Sequence, residues 1–382
     1  MVQEKRLVEL FMALVQVDSE TKHEQEISQV LKNKFTALGI QVAEDDTAAA
    51  TGHGSGNLIC TWEATSGGMQ APTIFFTSHM DTVVPGKGIK PSVHEDGYIR
   101  GDGTTILGSD DKAGIAAMFE AISVIQESRM EHGKIQFIIT AGEESGLLGA
   151  IAMDPKRMEA EFGYALDSNG KVGHIAVAAP AQSKINITVW GKSAHAGVNP
   201  EDGVSAITVA SKAVSRMKLG RIDKETTANI GSFAGGGATN IVCEKVTLTA
   251  EARSIVNEKL SRQVEEMKAA CMGAAVEMGA KIDFEHEIIY PAYMFDDSAP
   301  VVKLALSVFD KLGIESQTFH SGGGSDANIF NGMGIPTANL AVGYEHIHTT
   351  KEQMPVSELV KTAQVVVSII EEVAKLQQSS SH

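Results

Sequence analysis

The chain is short of cysteine, of positive charge and of long apolar runs, and each shortage removes a class of protein. Its three cysteines, Cys60, Cys243 and Cys271, are an odd number without short pair spacing. That pattern excludes a disulfide framework and a Cys-x-x-Cys metal site, and it fits a reducing compartment. They read as small buried hydrophobes. No apolar run approaches the ~20 residues of a membrane-spanning helix, so no membrane partner is expected. The opening stretch MVQEKRLVELFMALVQVDSE sets acids among its apolar residues and has no apolar segment followed by a small-residue cleavage site. It reads as an amphipathic helix rather than a signal peptide, and the expected location is cytoplasmic. Lys and Arg number 32 against 48 Asp and Glu, a formal net charge of −16 that repels phosphate backbones, so no nucleic-acid partner is expected.

What is present is a globular balance, 43% hydrophobic and 21% charged, over 382 residues. That length exceeds one ordinary core and predicts two domains. Amphipathic helical patterns cover 4–16 and 23–38, the second ending at Gly39. Short β-rich runs follow at 57–62, 73–78, 134–140 and 163–166, with a small-residue helix over 112–127. Strands alternating with helices predict an α/β layered domain with a largely parallel sheet. After about residue 179 the order becomes strand (184–190), helix (203–217), two strands (229–233, 242–255), helix (259–278) and strand (282–289). That β-α-β-β-α-β order is the ferredoxin-like split arrangement, a unit that can be inserted into a host domain. The expected organisation is therefore 1–179, an inserted unit at 180–288, and 289–382 completing the first domain. A long helix is expected over 356–376, and the polar tail 377–382 reads as frayed.

Acidic and histidine residues stand just beyond one predicted strand after another, where ligands gather in open α/β sheets. In His79-Met-Asp81 the two polar side chains share a face of extended chain, and a carboxylate commonly orients an imidazole ligand through its other nitrogen. Ser109-Asp110-Asp111 opens a helix from a Gly-containing turn, where one acid can cap the helix and the other bridge metals. A fully apolar strand runs into Gly142-Glu143-Glu144, costly unless the charges are paired. Such a pair suits one metal ligand and one general base. Asp167 ends another strand, and His346-Ile-His348-Thr-Thr-Lys-Glu352 follows the strand expected at 337–342. Together these segments supply two histidines and three carboxylates as ligands plus a spare carboxylate, the inventory of a two-metal hydrolytic centre.

The segments His79-Met-Asp81-Thr, Gly-Ser-Asp110-Asp-Lys-Ala-Gly, Glu143-Glu144-Ser-Gly, Asp167-Ser and His348-Thr-x-x-Glu resemble the five metal-site motifs of the M20 metallopeptidases, nearest the peptidase T-like branch. The resemblance runs through almost the whole chain. It implies a zinc-peptidase-type mixed α/β sheet flanked by helices, with the inserted ferredoxin-like unit acting as lid and dimerisation domain of a homodimer. It implies two Zn²⁺, for which Co²⁺ or Mn²⁺ can substitute. Asp110 would bridge them, His79 and Asp167 would complete one site, and Glu144 and His348 the other. Asp81 would partner His79, Glu143 would accept the proton of the attacking water, and a cis peptide would join Asp110 to Asp111. In the inserted unit, His195 and Asn240 are candidates to hold the scissile carbonyl oxygen. Arg253 is a candidate to hold a substrate carboxylate in a two-pronged contact, or else a strand arginine paired to an acid. Gly323 lies in a Gly-rich stretch, 321–328, resembling the family's substrate loop.

The implied activity is hydrolysis of short peptides. The stretch Ser-Ala-His195-Ala-Gly stands where peptidase T carries His-Pro-Gly, which keeps deacylation of N-acyl amino acids and carboxypeptidase activity as alternatives. A silent peptide-binding homologue is the reading from another class, disfavoured because a binder has no use for Glu143. His53, His94, His132, His174, His286 and His320 lack ligand spacing and read as structural or exposed.

Overall fold

Contacts along the chain in the computed structural model, which describes residues 1–376, separate two compact units. The larger comprises 1–177, 295–321 and the chain from 325 onward; the smaller comprises 178–294 with 322–324. The tail 377–382 lies outside the described residues.

In the larger unit the strand order is Gln41–Glu44, Leu58–Trp62, Ile135–Thr140, Ile74–His79, Phe162–Ser168, Thr337–Ala341 and His174–Ala179. The middle four, from Ile135–Thr140 to Thr337–Ala341, run parallel. Antiparallel strands flank them on both sides, so the sheet is mixed rather than largely parallel. Ile74–His79 and Ile135–Thr140 are buried along their whole length, as strands covered on both faces must be. That is why their sequences, IFFTSH and IQFIIT, carry no charged residue ahead of His79 and no regular polar–apolar alternation.

One helix, Ser109–Ser128, sits against this sheet, and the helices Glu4–Val15 and Val356–Ala374 pack on it in turn. It is buried almost all round, so it needs small residues where it meets the strands. A Cβ added at Gly114 would stand 2.2 Å from Ser78 Oγ, so only glycine permits this approach. The core gathers Phe35, Phe76, Phe119, Phe137 and Tyr164 around it, each stabilising by roughly 1.5–3 kcal/mol if fully removed from water.

The smaller unit orders its main strands Thr226–Gly235, Lys245–Ser254, Ala181–Trp190 and Lys281–Tyr290, every neighbour antiparallel. The helices Ala206–Arg216 and Asn257–Met278 follow the first and third in chain order, which is the ferredoxin-like split topology. Ala181–Trp190 and Lys245–Ser254 alternate buried and exposed residues, so one face is covered and the other wet. Ile185, Ile187, Val189, Val246, Leu248, Val264 and Met267 form that covered core, with Cys271 among them. Cys60 is buried too, while Cys243 is half-buried; all three are unpaired thiols. Among the described residues no helix is long and apolar enough to cross a membrane.

Candidate metal centre

The four parallel strands finish at one edge of the sheet, and the acidic and histidine residues stand there. His79 is the last residue of its strand and lies in register with Thr140, from which the chain runs on to Glu143 and Glu144. Asp167 is the penultimate residue of Phe162–Ser168. Beyond Thr337–Ala341 the chain turns through Tyr344 and His346 to His348, both histidines at positive φ.

Five side chains meet. His79 Nε2 lies 3.0 Å from Asp110 Oδ1 and 3.8 Å from Asp167 Oδ1. His348 Nε2 lies 3.2 Å from Asp110 Oδ2 and 3.1 Å from Glu144 Oε1. The two oxygens of Asp110 thus face different histidines, an arrangement suited to a shared ligand. Ligand atoms of His79, Asp110 and Glu144 lie within 4.8 Å of one another, as do those of His79, Asp111 and Asp167.

Second partners hold these groups in place. His79 Nδ1 donates to the main-chain carbonyl of Asp81 at 2.9 Å, with Asp81 Oδ1 farther at 3.5 Å. A donor at Nδ1 leaves Nε2 as the ligating nitrogen. The Asp81 carboxylate instead accepts the backbone amides of Glu143 (3.1 Å) and Glu144 (3.2 Å). It therefore ties the histidine strand to the loop that carries both glutamates. Asn339 exchanges two hydrogen bonds with the backbone of Asp167, and Tyr344 donates its hydroxyl to Asp167 Oδ1 at 3.1 Å.

The turn before Asp110 is held by Glu352. Its carboxylate accepts the amides of Leu107, Gly108, Ser109 and Asp110 at 2.7–3.2 Å and the Ser109 hydroxyl at 2.5 Å. The amides at this helix start are thus already taken, and neither acid of the Asp110-Asp111 pair caps them. The backbone is non-helical at both residues, and the peptide between them is cis. Both Asp111 oxygens are buried without a hydrogen-bond partner among the described residues.

The charge balance is strongly acidic. Burial, then neighbouring acids, pushes the Asp167 carboxyl well above its usual range; Glu143 is raised by the same causes against the pull of His79. Burial also lifts Asp326, to about 6, although Thr140 donates to it at 2.5 Å. Asp110 goes the other way, because its contacts with His348 and His79 outweigh burial. Those contacts raise His348 in return: Asp110 and Glu144 together push it up to about 10. Lys112, buried and donating to Ser19 Oγ, is pulled down to about 8 by burial. Crowded carboxylates with two imidazoles, and buried oxygens lacking partners, are a donor set that fits divalent cations with oxygen and nitrogen preference.

The other expected site residues belong to the smaller unit. His195 is exposed, and its Nδ1 accepts the amides of Gly197 and Val198, both at 3.1 Å, which places the ring proton on Nε2. Asn240 is exposed, and its carbonyl accepts from Ala196 N. Arg253 makes its two-pronged contact with Glu251 (Nε–Oε1 3.0 Å, Nη2–Oε2 3.1 Å), and a Cβ at Gly323 would come within 4.0 Å of Nη1.

Sequence reasoning did not find the work of Glu352, Asn339 and Tyr344. Glu352 carried a signal, its fixed spacing from His348. Asn339 and Tyr344 carried none.

A family model described as peptidase family M20/M25/M40 matches residues 75–372. A protein of Bacillus subtilis (strain 168), YqjE, carries no described function and is 62% identical over 98% of this chain and 100% of its own. Among solved structures, aminopeptidase PepT from Bacillus cereus ATCC 10987 is 61% identical with a TM-score of 0.92, covering 98% of this chain and 100% of its own. A tripeptidase from Staphylococcus aureus is 49% identical with a TM-score of 0.95 at the same coverage.

Proposed function

The chain belongs to the peptidase family M20/M25/M40, and on that premise we propose that it is a two-metal aminopeptidase that releases the N-terminal residue of short peptides, tripeptides first. The observation that carries the reading is the double contact of Asp110, one oxygen toward His79 and the other toward His348. Support for the substrate class comes from the aminopeptidase and tripeptidase names of relatives at 61% and 49% identity.

In this reading His79 and Asp167 would hold one cation, Glu144 and His348 the other, and Asp110 would serve both. When bound, two Zn²⁺, or Co²⁺ or Mn²⁺ in their place, supply Lewis acidity that makes water a nucleophile near neutral pH. Glu143 stands beside this set with its proton affinity raised by burial, and it takes the proton of the attacking water and returns it to the departing amine. Asp81 steadies both the base and a ligand by gripping the Glu143 amide and lying against His79. We assign His195 Nε2–H and Asn240 to the scissile carbonyl oxygen, supplied by this chain or by a second copy in a homodimer. Arg253 Nη1 and the backbone at Gly323 are assigned to the substrate's far carboxylate, a single-pronged hold because Glu251 occupies the other nitrogens.

The test is a metal-loaded assay on Ala-Ala-Ala, N-acetyl-Ala-Ala-Ala and N-acetyl amino acids. Release of alanine from the first, and little turnover of the blocked substrates, is expected. Preferential cleavage of N-acetyl amino acids would establish the deacylase alternative, and release from the C-terminus the carboxypeptidase one.

A further inference from the structure

The loop that carries both glutamates is held from two sides, and only one of those holds involves the residues assigned above. On one side Asp81 accepts the amides of Glu143 and Glu144. On the other lies His53, a buried histidine from the stretch before the strand Leu58–Trp62, outside the metal cluster. Its Nε2 is 2.8 Å from Ser145 Oγ. Ser145 Oγ has a single proton, and it donates that proton to the carbonyl of Gly142 at 3.0 Å. The hydroxyl must therefore accept from His53, which selects the Nε2–H tautomer. His53 Nδ1 is buried with no partner among the described residues, so a proton there would be a second buried donor without an acceptor.

The ring also fills the space beneath the loop. Gly142 has φ +71°, and a Cβ added to it would stand 2.3 Å from His53 Nε2 and 2.5 Å from Cε1. The left-handed turn that sends the chain from Thr140 to Glu143 is thus shaped by glycine on one side and the imidazole on the other. His53, Ser145 and the Gly142 carbonyl form a short relay in which Gly142 and Ser145 bracket Glu143 and Glu144 in sequence. A loop bearing a charged base and a ligand, half-buried and hydrogen-bonded at every turn, has its aim set by such supports.

We propose that His53 is a positioning residue, which through Ser145 and Gly142 fixes the direction in which Glu143 and Glu144 face the metal centre. The proposal rests on the reading of Glu143 as base and Glu144 as ligand, and it concerns aim rather than contact with substrate. Loss of the hold should therefore lower kcat and weaken the cation held by Glu144, while leaving KM nearly unchanged.

The experiment compares His53→Leu, which keeps bulk without a donor, with His53→Gln, whose amide nitrogen reaches about where Nε2 does. Steady-state kinetics on Ala-Ala-Ala are paired with Zn²⁺ affinity measured by competition against a chromophoric chelator. For His53→Leu the expected results are a fall in kcat of at least about tenfold, KM within about threefold, and one of two Zn²⁺ affinities weakened about 10–100-fold. His53→Gln should recover most of both losses. Wild-type kcat and both affinities in His53→Leu would overturn the proposal, as would a Gln variant no better than Leu. Should His53→Leu not fold, Ser145→Ala replaces it, because it removes the link without emptying the site; unchanged kcat and Zn²⁺ affinity there would overturn the proposal equally. Glu143→Ala is measured in parallel. If it turns over normally, the proposed function fails; if it is dead while His53→Leu is fully active, only the role of His53 fails.

Discussion

Glu143 and Glu144 are adjacent in sequence, yet the structure gives them different surroundings. Glu144 faces His348 at 3.1 Å, whereas Glu143 makes no such contact among the described residues and is burdened by burial and nearby acids. A ligand spends its charge on a cation; a base must keep a site for a proton. Replacing Glu143 by Ala should therefore lower kcat roughly 10²–10⁴-fold while both cations stay bound, read by turnover and by metal content of the same sample. Lost metal together with lost turnover would instead make Glu143 a ligand. The residues of this centre were legible in the sequence because each is an acid or histidine where a regular element ends or begins: His79 and Asp167 at strand ends, Glu144 and His348 in the chain that follows strands, and Asp110 at the opening of a helix. The residues that steady them were not. Glu352 meets Ser109 across 243 positions of sequence, and no local pattern announces such a contact. The sequence reads His53 as structural or exposed; it is buried and outside the metal cluster, and its neighbours His-Gly-Ser-Gly carry no sign of its partner in the glutamate loop.

At the scale of elements, the buried helix Ser109–Ser128 depends on a charge it cannot expose. Glu120 is fully buried on it, and Arg6 of the helix Glu4–Val15 meets its carboxylate at 2.7 and 2.9 Å; Arg6 also pairs with Glu127. Among the described residues, Arg6→Ala would leave Glu120 with the Gln3 amide alone. The expected loss of stability is roughly 2–4 kcal/mol, below the full cost for a buried pair because Arg6 is partly exposed. Chemical denaturation of the metal-loaded protein would measure it; a loss under about 0.5 kcal/mol would show the pair to be no more than a surface contact. Helices with caps or periodicity were readable, and so were the apolar strands of the sheet's centre. Several short strands were not, Gln41–Glu44 and His174–Ala179 of the large sheet among them. Gln41–Glu44 is four residues with no buried run, and His174–Ala179 is built of small residues without alternation; both are strands because neighbours supply their hydrogen bonds. Together with Leu58–Trp62, which was readable, they are among the antiparallel strands that make the sheet mixed.

For the whole molecule, the acidic centre ties stability to pH and to metal. In the metal-free chain His348 is raised from its ordinary 6.5 to about 10 by Asp110 and Glu144. A raised histidine contributes stability that is complete below about 6.5 and is lost as pH climbs through 10. Asp326, lifted by burial to about 6, acts in the same direction at lower pH, since it resists the ionisation that the unfolded chain accepts from about 4 upward. The thermal midpoint of the metal-free protein should thus fall between about pH 6 and pH 8; above 8 the buried Lys112, pulled down to about 8, offsets the loss, and added Zn²⁺ should raise the midpoint more at pH 8 than at pH 6. A metal-free midpoint that rises over that range would contradict these assignments. Calorimetric Zn²⁺ binding in buffers of different ionisation enthalpy should also show proton release near pH 7, as His348 gives up its proton to bind. Homodimerisation predicts light scattering at the mass of two chains; a monomer that is fully active would remove any need for His195 from a second copy.

The proposed joint hold of Asp110 on two cations is tested most directly by counting them. Dialysed protein titrated with Zn²⁺ should take up two equivalents per chain, and Asp110→Ala should fail to retain both. Two tightly held equivalents in Asp110→Ala, or none in the unaltered protein, would contradict the centre described here.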